Sequence, residues 1–448
     1  MSFTLAMPIT ERFLNRQLSP YMDTGRWLVA YSGGVDSCVL LNCLMGIFGH
    51  PPIVAVHINH QLQPESTQWR KHCEQHAAAI GIDIICVDVD VDLESGHSLE
   101  DAARRARYNA FVTIVKQDDV LFFGHHQDDQ VETVMLRLLR GSGSLGAAAM
   151  PARRPLGNGQ LARPLLDVPR SAIETYAIDH QLEWIDDPSN QTLDFDRNFL
   201  RLNVLPGIEQ RWPGYRQTLS RTATLSEEAA LLNDELAAID LQLMGLSEQS
   251  PTTLPIDALS ELSRARQKNS LRYFLKLNQF AMPSSAQLNE VIDQLIGASV
   301  DAVPLVEWGG VQLRRFDHKI VAMRSLPAVD TSKRYAWDFT DTLTLGNAGN
   351  LTAIPSLGKG IDLARLNLNE VGIVFRQGGE RCQPVGRSNS QTLKKLFQEY
   401  QLEPWLRDRI PLITYRDNII AVGDLWVCEG WQVKDDRQGV SLLWQRGN

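Results

Sequence analysis

Four short apolar runs punctuate the first 126 residues, and they constrain the fold before any motif is considered. "WLVAYS" (27–32), "PIVAVHINH" (52–60), "IDIICVDV" (82–89) and "VLFFGHH" (120–126) are separated by stretches long enough for a crossover helix. Strands alternating with helices make a parallel α/β sheet. The runs are apolar almost throughout, as expected of strands covered on both faces. The expected fold is a doubly wound, Rossmann-like parallel sheet, then a mainly helical middle domain and a small α+β C-terminal domain.

The chain has 448 residues, beyond the roughly 250–300 at which a single core stops growing. Boundaries are placed at 1–220, 221–330 and 331–448. From Leu225, the positions Leu225, Ala229, Leu232, Leu236, Ile239 and Leu243 form one apolar stripe at helical spacing, read as a packing helix. "LRRFDHKIVAMR" (313–324) reads as a hairpin and "SLPAVDTSKR" (325–334) as a linker.

Net charge is -9, which speaks against a nucleic-acid binder. The charge is unevenly spread, however. Residues 376–416 carry eight Lys/Arg against four Asp/Glu, and 153–170 carry four Arg against one Asp. Six cysteines show no C-x-x-C pair, which argues against a disulfide framework or a zinc module. No apolar run approaches about 18 residues, so no membrane span is expected. The expectation is a cytoplasmic protein with reduced thiols.

The first apolar run ends in "SGGVDS" (32–37) and passes into a helical pattern. Strand, flexible turn and helix is a geometry for holding phosphate, because backbone N–H groups and the helix dipole point at the anion. Gly33 and Gly34 allow close approach, Ser32 and Ser37 add hydroxyls, and Val35 is counted with them among the residues that hold the phosphate-bearing cofactor. Asp36 is anomalous, since a carboxylate facing phosphate is repelled unless a divalent cation lies between them. It is therefore the candidate magnesium ligand. The P-loop pattern G-x-x-x-x-G-K-[ST] and the dinucleotide fingerprint G-x-G-x-x-G are both missing here.

The fourth run ends in "GHHQDDQVET" (124–133), which sets two histidines, two aspartates and a glutamate at a strand end and the first helical turns. His125 and Asp129 are four apart, Asp129 and Glu132 three apart, so these groups share a helix face. In a doubly wound sheet that end flanks the binding crevice, opposite the first loop. A zinc or iron site is the rival reading, weakened by the lack of H-E-x-x-H.

"SGGVDS" resembles the signature of the PP-loop ATP pyrophosphatases, and "GHHQDDQVET" resembles the tRNA(Ile)-lysidine synthetase branch of that family. So do "VHINHQLQPES" (56–66), "SLEDAARRARY" (98–108), "LRGSG" (139–143), "RPLLDVPRSAI" (163–173), "DDPSNQTLDFDRNFLR" (186–201) and much of 375–412. The resemblance implies that ATP adenylates the wobble cytidine of a CAU-anticodon isoleucine tRNA and that free lysine then displaces AMP. ATP and magnesium are the implied cofactors; tRNA and lysine are the implied partners, with a homodimer left open.

The chemistry is consistent with that implication. An ammonium with a pKa near 10.4 is no nucleophile, so a site must attract it and help it lose a proton. Asp129 and Glu132 are assigned to the lysine amine and His125 to proton transfer. Dispersed phosphoryl charge suits an arginine fork. Arg104 and Arg107 in "AARRARY" and Arg197 in "RNFLR" are the candidates, with Arg105 inseparable from the first two. Arg376, Arg381, Arg387, Lys394, Lys395 and Arg407 are the candidate tRNA grips, beside the basic stretch 153–170. Trp405 and Phe397 are candidates for base stacking but are read first as core. Three alternatives share parts of this pattern. A tRNA thiolase would need paired cysteines, a small-molecule synthetase would have little use for a basic tail, and a nucleotide sensor would not need the acidic cluster.

Overall fold

The four apolar runs become the parallel core of one sheet. The computed structural model describes residues 9–62, 65–91, 99–187, 192–193, 195–246, 251–297, 302–434 and 436–447. Strands β1 (Trp27–Ala30), β2 (Ile53–Asn59), β3 (Asp83–Asp88) and β4 (Val120–Phe122) are joined by β6 (Gly159–Ala162) and its hairpin partner β5 (Arg153–Leu156). The order is β3-β2-β1-β4-β6-β5, and only β5 runs antiparallel. The chain steps outward from β1 to β2 and β3, then returns to pair β4 on the other side of β1. That reversal opens a crevice at the carboxyl ends of β1 and β4.

Trp27, Leu28 and Val29 are fully buried, as a strand covered on both faces requires. The two faces hold different side chains. Trp27, Val29, Val120 and Phe122 pack with α2 (Val35–Met45), whereas Leu28, Leu121 and Phe123 pack with α4 (Leu99–Ile114). Between them in chain order, α3 (Ser66–Ala79) carries β2 to β3; before them, α1 (Glu11–Leu18) precedes β1. After β4 come α5 (Gln127–Leu139), α6 (Arg170–Asp179), α7 (Asp196–Phe199), a π turn over Leu200–Val204, α8 (Leu205–Arg211) and the long α9 (Tyr215–Leu243).

The chain divides into two compact units, Met1–Asn233 and Asp234–Asn448, and the division falls inside α9. The stripe read on that helix is not its packed face: Leu232 is 64% and Leu243 77% exposed, while Ala223, Ala237, Asp240 and Leu241 are buried. Small side chains and a paired aspartate make the contacts, so apolar periodicity alone misplaces the buried face. The Asp240 carboxylate is held by Arg266.

In the second unit, β7 (Thr253–Pro255), β8 (Leu305–Trp308), β9 (Val311–Phe316) and β10 (Lys319–Arg324) form an antiparallel sheet against the helices Arg264–Leu277 and Ser285–Val291. The hairpin expected at 313–324 is the β9–β10 pair. A five-stranded sheet centred on Val371–Val374 and Leu412–Tyr415 follows, with the long ribbon Gly349–Leu357 paired to Gln438–Arg446. Phe397 is fully buried in that core, and Trp405 packs edge-on against Phe316.

Candidate functional site

The turn after β1 is shaped by one glycine that nothing else could replace. Gly33 has φ +84°, and a Cβ there would lie 3.0 Å from the Cys73 sulfur and 3.2 Å from Ile185 Cδ1. Both the backbone conformation and the crowding demand glycine. Gly34 caps α2 in an extended conformation, so Val35 and Asp36 begin the helix. Ser37 Oγ donates to Gly34 O at 2.9 Å and lies 3.3 Å from Ser32 Oγ, which also accepts from Gly34 N. The hydroxyls brace the loop from within, leaving its helix end directed at an anion.

Gly124 brings the second constellation to this loop. A Cβ on Gly124 would sit 2.7 Å from Asp36 O, so the end of β4 runs directly against the start of α2. His126 follows and caps α5 in a reciprocal box: His126 N donates to Asp129 Oδ2 at 3.0 Å, and Asp129 N donates to His126 Nδ1 at 3.4 Å. The imidazole is buried, with Nε2 3.7 Å from Asp36 Oδ1 and 3.5 Å from Asp129 Oδ2.

The carboxylates of α5 are largely occupied by arginines. Arg197 Nε donates to Glu132 Oε2 at 2.6 Å, and Arg197 Nη2 to Asp129 Oδ1 at 3.2 Å. Arg201 Nε donates to Glu132 Oε1 at 2.6 Å and its Nη2 to Oε2 at 3.0 Å. The Glu132 side chain is 1% exposed. Asp128 accepts from Arg216 Nε at 2.6 Å and from the Arg170 amide at 2.9 Å. Burial would raise the Asp129 carboxyl, but His126 and Arg197 outweigh it and hold the group well below the usual carboxylate range.

Asp36 contrasts with these. Its Oδ1 is buried with no hydrogen-bond partner, and burial raises its carboxyl above the ordinary value against the partial relief that His126 supplies. A carboxylate short of positive charge beside a phosphate loop fits a divalent cation. Beside α5 lies a cavity of about 490 Å³ whose lining includes Asp128, Glu132, Asp186, Asp187, Arg170 and Arg201.

Sequence reasoning placed Ser32, Gly33, Gly34, Val35, Asp36 and Ser37 in one loop, and the structure joins them to Asp129, Glu132 and Arg197 through His126. Arg104 and Arg107 go elsewhere. They belong to α4, on the other face of the sheet from α2, with Tyr108, His60 and His125 among their neighbours. His125 stacks on Phe123 with ring centroids 5.2 Å apart, and its Nδ1 accepts from Arg163 Nε at 3.1 Å. Burial, reinforced by Arg163, pushes its imidazole down to about 3, so it is neutral and weakly basic here.

Among the basic residues of the tail, Arg376 pairs with Asp408 at 3.1 Å, and Arg387 and Lys395 both reach Glu399. Arg381 donates to Ser390 O and Arg407 to Leu402 O, while Lys394 is exposed.

His126 and Asp128 were read as members of the cluster but given no individual role, and Arg170, Arg201 and Arg216 were not singled out from sequence. Arg201 was findable, since it lies four residues after Arg197 on the same helical face. Arg216 carried no signal at all. Positions 188–191 and 194 of the "DDPSNQTLDFDRNFLR" motif, 63–64 of "VHINHQLQPES" and Ser98 of "SLEDAARRARY" lie outside the described residues.

With this geometry in place, the chain was compared with known proteins. The tRNA(Ile)-lysidine synthase of Coxiella burnetii is 38% identical over 438 residues, covering 97% of this chain and 96% of that protein. The chain belongs to the tRNA(Ile)-lysidine synthase family. The same enzyme from Serratia proteamaculans is 39% identical, covering 97% of this chain and 99% of its own, and that from Alkalilimnicola ehrlichii is 37% identical, covering 93% of each. Three family models match in order: a PP-loop domain over 7–208, a TilS substrate binding domain over 254–321 and a TilS substrate C-terminal domain over 371–444. The PP-loop match spans both the SGGVDS turn and the α5 carboxylates, so the lysidine synthase family has its ATP domain here. It is an ATP-dependent ligase. Among the described residues, no helix is long and apolar enough to cross a membrane.

Proposed function

We propose that this chain ligates lysine to C2 of the wobble cytidine of a CAU-anticodon isoleucine tRNA. The cytosine O2 attacks the α-phosphate of ATP and pyrophosphate leaves; the lysine ε-amine then adds at C2, and AMP departs with that oxygen. The observation carrying this reading is the direct packing of Gly124 on Asp36, which sets the α5 carboxylates and their arginines beside the phosphate loop.

Ser32 to Ser37 hold the pyrophosphate end of ATP, and Asp36 holds magnesium, which when bound screens the phosphate charge. Arg197, with Arg201 beside it, stabilises the α-phosphate as charge redistributes. In the free enzyme these guanidiniums are neutralised by Glu132 and Asp129. The incoming phosphates draw them off, and the lysine ammonium takes their place on the carboxylates, so the cluster exchanges partners while staying near neutrality. The cavity beside α5, with Asp186 and Asp187 on its wall, receives the rest of the lysine. His125 is the proton-transfer group in this reading; burial and the nearby arginines make it a weak base in the free enzyme, so the role requires bound phosphate to offset those arginines and bring its pKa back toward the operating pH.

The second unit grips the tRNA through Arg376, Arg381, Arg387, Lys394, Lys395 and Arg407. We place the domain borders for these roles at 1–220, 221–330 and 331–448 and the enzyme in the cytoplasm with its substrate.

The test is retention of labelled lysine on an unmodified transcript after mild base has removed aminoacyl esters. Retention that needs both ATP and the wobble cytidine is expected; none, with intact RNA and folded protein, refutes the assignment. Glu132→Gln should raise the apparent KM for lysine at least about tenfold while leaving ATP binding within twofold, since one charged partner of the ammonium is gone. An unchanged lysine dependence removes Glu132 from that role.

A further inference from the structure

We infer that Arg104 and Arg154, assembled around Tyr108 with Arg163 behind them, form a subsite for a phosphodiester of the RNA substrate, separate from the ATP phosphate loop. The inference deepens the proposed function and rests on that reading for the identity of the RNA.

The cluster is assembled from two distant parts of the chain. Arg104 and Arg154 each place their guanidinium carbon 5.1 Å from the centre of the Tyr108 ring. Arg163 reaches the Tyr108 hydroxyl at 3.4 Å, Pro151 O at 2.7 Å and His125 Nδ1 at 3.1 Å. The rings of Tyr108 and Phe123 stack at 5.8 Å, and those of Phe123 and His125 at 5.2 Å, so one aromatic ladder joins the cluster to the candidate proton-transfer group.

Three guanidiniums thus converge, and among the described residues none of them is in an ion pair with a carboxylate. The mutual repulsion registers on the groups themselves. Burial lowers Arg163, and Arg154 and Arg104 lower it further; burial would raise the Tyr108 phenol, but Arg104, Arg163 and Arg154 hold it below its usual value. Arg137, half-buried on α5, is lowered by burial and by Arg104 as well. Arg163 is satisfied by its three bonds and acts as the floor. Arg104 and Arg154 are only partly buried and keep donors available, so an anion arriving there would relieve the repulsion at once.

The position selects RNA over ATP. The α2 amides lie on the face of the sheet that carries Phe122 and Val120, while the cluster lies on the face that carries Phe123 and Leu121, at the carboxyl end of the same strand. A triphosphate seated on α2 has its anions on the first face. A nucleotide splayed into the crevice brings flanking phosphates of its own, and those need a cationic rest on the other side of the target base.

The experiment measures filter binding of the full chain to the unmodified transcript across a salt series, alongside the KM for ATP in pyrophosphate release. Arg154→Ala is the first variant and Arg104→Ala the second. Each should weaken RNA binding roughly tenfold at about 0.1 M salt and reduce the slope of log K against log salt by about 0.7–0.9, the release expected for one phosphate contact. Arg154→Lys should restore the slope but only part of the affinity, because a point charge replaces a planar fork. The KM for ATP should stay within twofold. Unchanged affinity and slope in both alanine variants, with a wild-type chain that retains lysine on RNA, overturns the subsite alone. A raised KM for ATP with RNA binding intact assigns the cluster to the nucleotide and overturns it too. A wild-type chain that neither binds the transcript nor retains lysine overturns both this inference and the function beneath it.

Discussion

Arg197 and Arg201 close on Glu132 with nitrogen–oxygen distances of 2.6 Å, whereas Arg104 and Arg154 close on the ring of Tyr108 at 5.1 Å with no paired carboxylate among the described residues. The same side chain serves both regions. In the first it is neutralised before any ligand arrives, so the cluster contributes to the fold and must be opened to work. In the second it is held apart from counter-charge, so the cluster works against the fold until an anion binds. A charged site can therefore be kept ready either by a built-in partner or by leaving the partner to the substrate, and the two have opposite signatures in stability.

The largest effect should come from removing the built-in partner. Glu132→Ala leaves two mostly buried guanidiniums without their main carboxylate and should cost about 3–5 kcal/mol, read by denaturant titration. A loss below about 1 kcal/mol would mean the first cluster is no more self-contained than the second. Next is Asp36→Asn, which removes a carboxylate of the crevice whose Oδ1 is buried with no hydrogen-bond partner among the described residues. Adenylation, followed as pyrophosphate release, should fall about 100- to 1,000-fold, the range for losing a single preorganised charge contact, with little loss of stability. A protein that releases pyrophosphate normally would show that Asp36 serves only the helix end.

A smaller pair of effects tests the contrast directly. Arg201→Ala should lower the thermal midpoint, since Glu132 loses a bidentate partner, at a cost of about 1–3 kcal/mol. Arg154→Ala should leave it unchanged or raise it slightly, by no more than about 0.5 kcal/mol, because a like charge is removed. Equal destabilisation by both would erase the distinction between the clusters.

A further effect, absent at neutral pH and growing as the pH falls, concerns acid stability. His125 is pushed down to about 3 from an ordinary 6.5, so the unfolded chain takes up the proton first as pH falls. His125 should therefore contribute nothing above pH 6.5 and an increasing destabilisation between 6.5 and about 3. His125→Asn, which can still accept from Arg163, should flatten that part of the stability profile, and an unaltered slope would mean that the imidazole is protonated in the folded state.

The two regions were unequally legible in the sequence. The PP loop could be read residue by residue, because glycines, small hydroxyls and an N-terminal aspartate act through their immediate neighbours. His126 was counted in the cluster but given no role beside His125, since two adjacent histidines cannot be ranked without knowing which one faces Asp36. Arg104 and Arg107 were assigned to phosphate from the AARRARY motif and the fit of a guanidinium fork to phosphoryl charge; the structure gives them Tyr108, His60 and His125 as neighbours. The stripe on α9 was read as core from its periodicity, yet Ala223, Ala237 and Leu241 are the buried contacts.

By itself, the sequence determined the doubly wound sheet, its strand-to-helix phosphate turn and the carboxylates of α5, because near-neighbour sterics and apolar period act within a few residues. Only the tertiary structure decided which charge meets which. Arg197 and Glu132 are 65 positions apart, and Arg163 and Tyr108 are 55 apart. Whether a guanidinium is neutralised or left waiting depends on separations of a few ångströms between elements the chain brings together only by folding, and the interaction fades over that same distance in water.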